Sequence, residues 1–232
     1  APAARYYFAN VTGVDREFGR ILDELKRLGL DDNTIVVFTS DHGETMCSQG
    51  TDDPKNTIYT ESFNVPFIIR YPEKIKPHVD STLLSTVDIM PTLLSMAGLA
   101  EHIPSTAEGR DLSPVLLENG QECDAPDCAL YIRNVNGPKD EEGLVRGFLP
   151  VARGIKTHRY TFEIAIKKDY SLKSVTIFDD LEDPYQMTNI DYKHHPELFK
   201  TLLEMLSDKL KESDDIWYRE DILNKLNLYN TK

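Results

Sequence analysis

Ser40-Asp41-His42-Gly43-Glu44 carries the densest chemistry in this sequence of 232 residues. It follows directly on Ile35-Val36-Val37-Phe38-Thr39. That unalternating β-branched and aromatic run is how a strand covered on both faces of a parallel sheet is written. In open parallel sheets ligands gather beyond the carboxyl ends of the strands, where loops bring side chains together. A carboxylate beside an imidazole at such a point supplies half of a metal site. The same two residues also read as an Asp that caps a turn and an ordinary loop His, and the residues alone leave both readings open. Lys55, taken singly, reads as a solvated loop lysine. Arg133, Arg153 and His158 are candidate substrate contacts near strand ends, with solvation or structural pairing as the alternative. The three cysteines, Cys47, Cys123 and Cys128, form neither a disulfide framework nor a zinc pattern. Cys123 and Cys128 either bridge a local loop in an oxidising compartment or stay as thiols.

These residues need elements to position them. Val11, Val14, Phe18, Ile21, Leu22, Leu25 and Leu28 recur at spacings of three and four, which predicts an amphipathic helix over 5–28, packed on something larger and capped by Gly29. The helix starts almost at Ala1 with no strand before it, so the sequence reads as beginning inside a domain. Val65-Pro66-Phe67-Ile68-Ile69-Arg70 predicts a second short strand, with its Pro near the start. Asp88 to Gly98 predicts a helix with a capping Asp and a terminal Gly. Residues 99–128 are rich in Pro and Gly, and a boundary is placed late in that stretch. Beyond it, strands are expected at 129–133, 149–156, 159–166 and 174–178. A helix is expected at 196–211, where Leu198, Leu202, Leu206 and Leu210 fall every four residues. The expected division is therefore 1–128, an α/β layer, and 129–232, a small antiparallel sheet with a helix on it.

Composition narrows the function classes. At 40% hydrophobic and 28% charged residues the chain can bury a sizeable core. Its formal net charge of -13 makes nucleic acid and anionic membrane surfaces poor partners, since both reward clustered Lys and Arg. No stretch approaches the roughly 18 to 20 apolar residues of a membrane helix, and no leader-like segment is visible. No nucleic acid and no membrane are therefore expected as partners, and an anionic substrate would need a local positive site such as a bound cation.

Beyond the Ser40–Glu44 turn come Lys55-Asn56-Thr57-Ile58-Tyr59-Thr60-Glu61-Ser62 and Val65-Pro66-Phe67-Ile68-Ile69-Arg70-Tyr71-Pro72. Further along stand Ser85-Thr86-Val87-Asp88-Ile89-Met90-Pro91-Thr92, Gly109-Arg110-Asp111-Leu112, Arg153-Gly154-Ile155-Lys156-Thr157 and Asp183-Pro184-Tyr185-Gln186-Met187-Thr188-Asn189. In this order and spacing they resemble signatures of the formylglycine-dependent, arylsulfatase-like sulfatases of the alkaline phosphatase superfamily, in their C-terminal part only. The resemblance implies an α/β fold, the C-terminal part of an alkaline-phosphatase-like α/β sandwich plus the small antiparallel-sheet subdomain. It makes Asp41 and His42 the second pair of Ca2+ ligands, a half-site, because calcium takes about 6 to 8 ligands, mostly oxygen. The remaining carboxylates come, in the family, from a paired Asp near the start of the enzyme. Lys55 matches a lysine that contacts the sulfate, a catalytic and substrate-binding role in which its ammonium offsets charge on the oxygens.

The family nucleophile is a formylglycine made from Cys or Ser in Cys/Ser-x-Pro-x-Arg. No Cys or Ser here stands in that pattern, so the nucleophile is expected upstream and this segment alone is expected to be inactive. Two positions depart from the family pattern: Ser48-Gln49-Gly50 replaces a frequent His-Gly pair, and Gln186 stands where Glu is frequent. The expected function is sulfuric ester hydrolysis on a sulfated small molecule or carbohydrate. The upstream half of the same protein is the expected partner, and a periplasmic or secreted location is implied by the resemblance. A phosphodiesterase or phosphonate monoester hydrolase of the same superfamily, or a non-catalytic sulfatase-derived domain, are the alternatives.

Overall fold

The computed structural model describes residues 2–51, 53–117, 125–137, 141–142 and 147–228. Helix α1 (Pro2–Arg27) ends in Lys26 and Arg27, whose charges complement the carbonyl end of the helix dipole. Gly29 follows at φ 67°, the left-handed conformation that glycine adopts without a Cβ clash. Phe18 rests on Phe38 of β1 (Val36–Thr39), with ring centroids 5.1 Å apart. The periodic face is otherwise less covered than its sequence implies. Val11, Val14, Ile21 and Leu28 are all at least half exposed.

A short helix, α2 (Thr60–Phe63), leads into β2 (Phe67–Arg70). β1 and β2 pair antiparallel, with Val36 opposite Arg70 and Thr39 opposite Phe67. This corrects the parallel sheet expected from the apolar runs. An unalternating run reports burial and carries no information on strand direction, which the connection decides. Nor are both faces covered among the described residues: Ile68 is 61% exposed. Pro66 sits just before β2, where its missing N–H costs no ladder bond.

α3 (Ile89–Met96) follows a single 3-10 turn, and Gly98 at φ 75° closes it. Asp88 was expected to cap this helix, but its carboxylate instead accepts from the Ser85 N–H at 2.7 Å and from the Arg110 N–H at 2.8 Å. The buried Asp88 thus anchors Gly109-Arg110 behind the helix. α4 (Ser113–Leu116) ends this part of the chain.

The remaining strands, β3 (Cys128–Asn136), β4 (Phe148–Thr157), β5 (Tyr160–Ile166) and β6 (Leu172–Asp179), form an antiparallel meander. Tyr131, Gly154, Glu163 and Thr176 lie in one row across it. A Cβ on Gly154 would come within 2.1 Å of the Phe162 carbonyl, so this row requires glycine. Side chains alternate between the two faces. One face, with Ile155, Phe162, Ile164 and Ile177, packs under α5 (Pro196–Glu212) through Phe199, Leu202, Leu203, Leu206 and Leu210. At about 1.5–3 kcal/mol for each large apolar side chain buried, this is the main stabilising layer of the fold. Two one-turn helices, α6 (Ile216–Arg219) and α7 (Ile222–Lys225), extend it with Trp217, Ile222 and Leu223.

Candidate functional site

β1 delivers Ser40 and Asp41 at its carboxyl end. One carboxylate oxygen of Asp41 accepts the His42 N–H at 3.0 Å, and the Ser40 hydroxyl closes the turn by donating to the His42 carbonyl at 2.9 Å. The other oxygen, Oδ2, stands 3.6 Å from His42 Nε2. His42 Nδ1 lies 2.9 Å from the Gly43 carbonyl, which can only accept, so Nδ1 donates there and Nε2 is the ring nitrogen turned to Asp41. The turn-forming and donor readings of Asp41 therefore coexist, one oxygen to each. The Asp41 carboxyl is held below the usual carboxylate range by the His42 N–H and then by the adjacent imidazole, so it presents a charged oxygen. Asp41 Oδ2 is exposed with its side chain, while His42 is half-buried.

Two donor atoms 3.6 Å apart suit neighbouring positions on one cation, for ligand distances of 2.3–2.6 Å place such donors roughly 3.4 Å apart. The pair suits a cation by separation and by charge; the carboxylate oxygen is the donor type that calcium prefers, and the imidazole nitrogen is the atypical one. Among the described residues no cluster of three or more His, Cys, Asp or Glu side chains forms.

The link from this turn to Lys55 runs through Ser62. The Gly43 N–H donates to the Ser62 carbonyl at 2.6 Å and the Glu44 N–H to the Glu61 carbonyl at 2.8 Å. That approach leaves no room for a side chain at Gly43, where a Cβ would meet the Glu61 carbonyl at 2.1 Å. The Ser62 hydroxyl donates to the Lys55 carbonyl and accepts the Thr57 N–H at 3.3 Å. Ser62 is 1% exposed, so both bonds are sheltered from water. Asp53 completes the loop by accepting the N–H groups of Lys55 at 3.1 Å and Asn56 at 3.0 Å. The Lys55 side chain itself is exposed. The structure thus ties the backbones of Asp41-His42-Gly43 and of Lys55 to one buried serine.

This loop lies on the second face of the four-stranded sheet. Tyr59 packs on Phe178 at 5.6 Å and Phe63 on Tyr131 at 5.8 Å. Arg133 reaches the Asn56 carbonyl at 3.5 Å and pairs with Glu163 at 3.3 Å. Burial pushes the Glu163 carboxyl up, with Arg133 opposing, and burial likewise pushes the Tyr131 phenol up. Gln186, in the turn after β6, accepts the Thr60 N–H at 2.7 Å, and the Tyr185 carbonyl accepts from Gln49 at 2.5 Å.

Other candidates fall elsewhere. Arg153 is 2% exposed on the α5 face, where its Nε bonds both oxygens of Asp215 at 3.0 Å, so it is a structural cation with no access to a substrate. Arg133 is engaged by Glu163, and His158 is exposed at the turn between β4 and β5. Cys47 is exposed, Cys128 is buried with its thiol pushed up by burial, and Cys123 lies outside the described residues together with the question of its pairing. Ser62 and Thr60 belong to a motif block that the sequence marks only as a block. The partner of Thr60 is Gln186, 126 residues away, which leaves no local signal, whereas Ser62 bonds within its own loop.

Comparison with known proteins gives a consistent family. A model described as "Sulfatase" matches residues 2–99, and one described as "N-sulphoglucosamine sulphohydrolase, C-terminal" matches residues 52–215. The chain is 52% identical over 225 residues to an endo-4-O-sulfatase of Bacteroides thetaiotaomicron, covering 97% of this chain and 44% of that protein. A solved structure from work on glycosaminoglycan metabolism by Bacteroides thetaiotaomicron superposes with TM-score 0.92 at 52% identity, over 95% of this chain and 46% of that one. A second, solved in complex with its substrate D-glucosamine-2-N,6-O-disulfate, superposes with TM-score 0.74 at 31% identity, over 89% of this chain and 40% of that one. The chain spans less than half the length of these relatives.

Proposed function

This chain belongs to the sulfatase family, matching the C-terminal part of its members, and from that membership we propose that the whole protein hydrolyses a sulfate ester carried by a carbohydrate. The observation that carries the reading is the pair of donors, Asp41 Oδ2 and His42 Nε2, 3.6 Å apart at a strand's carboxyl end and bonded through Gly43 and Ser62 to the Lys55 loop. Asp41 and His42 would hold calcium together with ligands from the remainder of the protein. When bound, calcium stabilises negative charge on the sulfate oxygens. Lys55 adds a second cation there, its ammonium offsetting charge that grows as the ester bond breaks. Asp53 and Ser62 keep its loop in place. The attacking group we assign to the remainder of the protein, because no Cys or Ser of these 232 residues stands in Cys/Ser-x-Pro-x-Arg. That remainder also covers, in this reading, the uncovered apolar face of α1. The sulfated-sugar substrate is supported by the names of the relatives, an endo-4-O-sulfatase and a structure holding a sulfated glucosamine.

The test assays the full-length protein and residues 1–232 against an aryl sulfate and a panel of sulfated sugars, with and without calcium. Full-length protein is expected to turn over in a calcium-dependent way and the segment not at all. Lys55→Ala and Asp41→Ala in the full-length protein are each expected to lower kcat by about 10²–10³. Turnover by the segment, or full activity in both variants, overturns these assignments.

A further inference from the structure

We propose that Gln186 is a positioning residue through which the four-stranded sheet sets the placement of Asp41, His42 and Lys55; the inference rests on the functional reading above. Gln186 is 3% exposed and sits at φ 54°, a conformation uncommon for a residue with a side chain. Its N–H holds that turn by donating to the Asp183 carbonyl at 2.9 Å. Its side chain makes three bonds at once. Oε1 accepts the Thr60 N–H at 2.7 Å, and Nε2 donates to Asp180 Oδ1 at 2.7 Å and to Thr161 Oγ1 at 3.2 Å. The second oxygen of Asp180 is taken by Lys156 Nζ and by the Thr161 hydroxyl.

These partners impose opposite demands. The Thr60 N–H opens α2 and has no carbonyl one turn back to accept it, so it needs an acceptor. The Asp180 carboxylate can only accept, so its Oδ1 needs a donor. A primary amide gives one of each without adding charge. An ionised glutamate would satisfy Thr60 but set a second carboxylate oxygen against Asp180. The Gln that departs from the family's usual Glu is therefore fitted to this pair of neighbours.

The consequence passes along α2. Thr60 is followed by Glu61 and Ser62, whose carbonyls hold Glu44 and Gly43 and whose Ser62 hydroxyl holds Lys55 and Thr57. One residue before Gln186, the Tyr185 carbonyl accepts from Gln49. The turn after β6 thus grips the loop at 49 and at 60, on either side of Lys55.

The experiment uses full-length protein with Gln186→Met, which removes donor and acceptor at similar length, and Gln186→Glu, which keeps the acceptor. Amide hydrogen exchange is read by mass spectrometry in peptides covering 42–62, 160–179 and 196–212, beside kcat/KM on an aryl sulfate. Gln186→Met is expected to raise exchange at 42–62 by about tenfold and to lower kcat/KM by about tenfold, with 160–179 and 196–212 unchanged, and Gln186→Glu to do less of both. Unchanged exchange at 42–62 overturns the proposal, as does a rise that spreads equally to 160–179 and 196–212, or wild-type turnover despite a loosened loop. If Gln186→Met does not fold, Gln186→Glu carries both measurements. Wild-type protein that hydrolyses no sulfate ester, with the local rise intact, would sink the functional reading and leave the coupling standing.

Discussion

The two faces of the four-stranded sheet are built from the same strands, yet one is apolar and almost wholly buried and the other is polar and only partly buried. Under α5 lie Ile155, Phe162, Ile164 and Ile177, met by Leu202, Leu206 and Leu210. The opposite face carries Lys156, Thr161, Glu163 and Asp180, met by the Lys55 loop, α2 and Gln186. Apolar packing is additive and tolerant of small shifts, so the first face sets stability. Hydrogen bonds are directional and costly to leave unmade, so the second face sets position. Even so its fit is incomplete: among the described residues Thr57 Oγ1, Tyr131 Oη, Arg133 Nε and Glu163 Oε2 are buried without a hydrogen-bond partner. The apolar face takes in a buried ion pair, Arg153 with Asp215, which ties β4 to the start of α6.

That contrast can be broken in order of expected effect. Asp215→Ala leaves the Arg153 guanidinium buried without its counter-ion and should lower unfolding free energy in urea by about 3–5 kcal/mol. A loss under about 1 kcal/mol would mean that the pair is solvated. Leu206→Ala, on the same face, should cost about 2–5 kcal/mol by lost transfer energy and a residual cavity, with kcat/KM of the folded full-length protein unchanged. If Leu206→Ala altered turnover as much as stability, the division of labour between the faces would be wrong. Ser62→Ala on the site face should cost less, about 1–3 kcal/mol, yet lower kcat/KM, since the Lys55 carbonyl and Thr57 N–H lose their partner. Loss of stability alone would make Ser62 structural.

The smallest effect is expected for Glu163→Gln, and it is one of pH. Burial raises the Glu163 carboxyl in the folded protein, so the folded state binds its proton more tightly than the unfolded state. Stability from this group is then greatest below the ordinary Glu pKa and declines as pH rises through the folded value. Wild type should lose stability relative to Glu163→Gln across that interval. A gap moving the other way would place a stronger cation beside Glu163 than Arg133 supplies.

Legibility followed the same division. Leucines every fourth residue announced α5, short strand-like runs announced β3 to β6, and Gly29 and Gly98 announced the ends of α1 and α3, because each signal lies within a few neighbouring residues. Asp41, His42 and Lys55 stood out by motif and by their place after a strand. For Arg153 the sequence left substrate contact and structural pairing open, since a basic residue on a strand reads the same whether it meets solvent or Asp215, 62 residues away. Gln186 was marked only as a departure from the family pattern, because what matters about it is that Thr60, 126 residues away, needs an acceptor, and Ser62 stood unmarked inside its motif block.

The sequence by itself determined the longer elements through local periodicity, while the family came from the motif blocks in which the chain resembles the sulfatases. Only the tertiary structure decided that β1 runs against β2, that one serine joins the Asp41-His42-Gly43 turn to Lys55, and that Gln186 meets Thr60 from across the sheet. The physical reason is that direction, register and hydrogen-bond partnership are relations between segments far apart in the chain, and a side chain's type constrains what it can pair with without naming the partner.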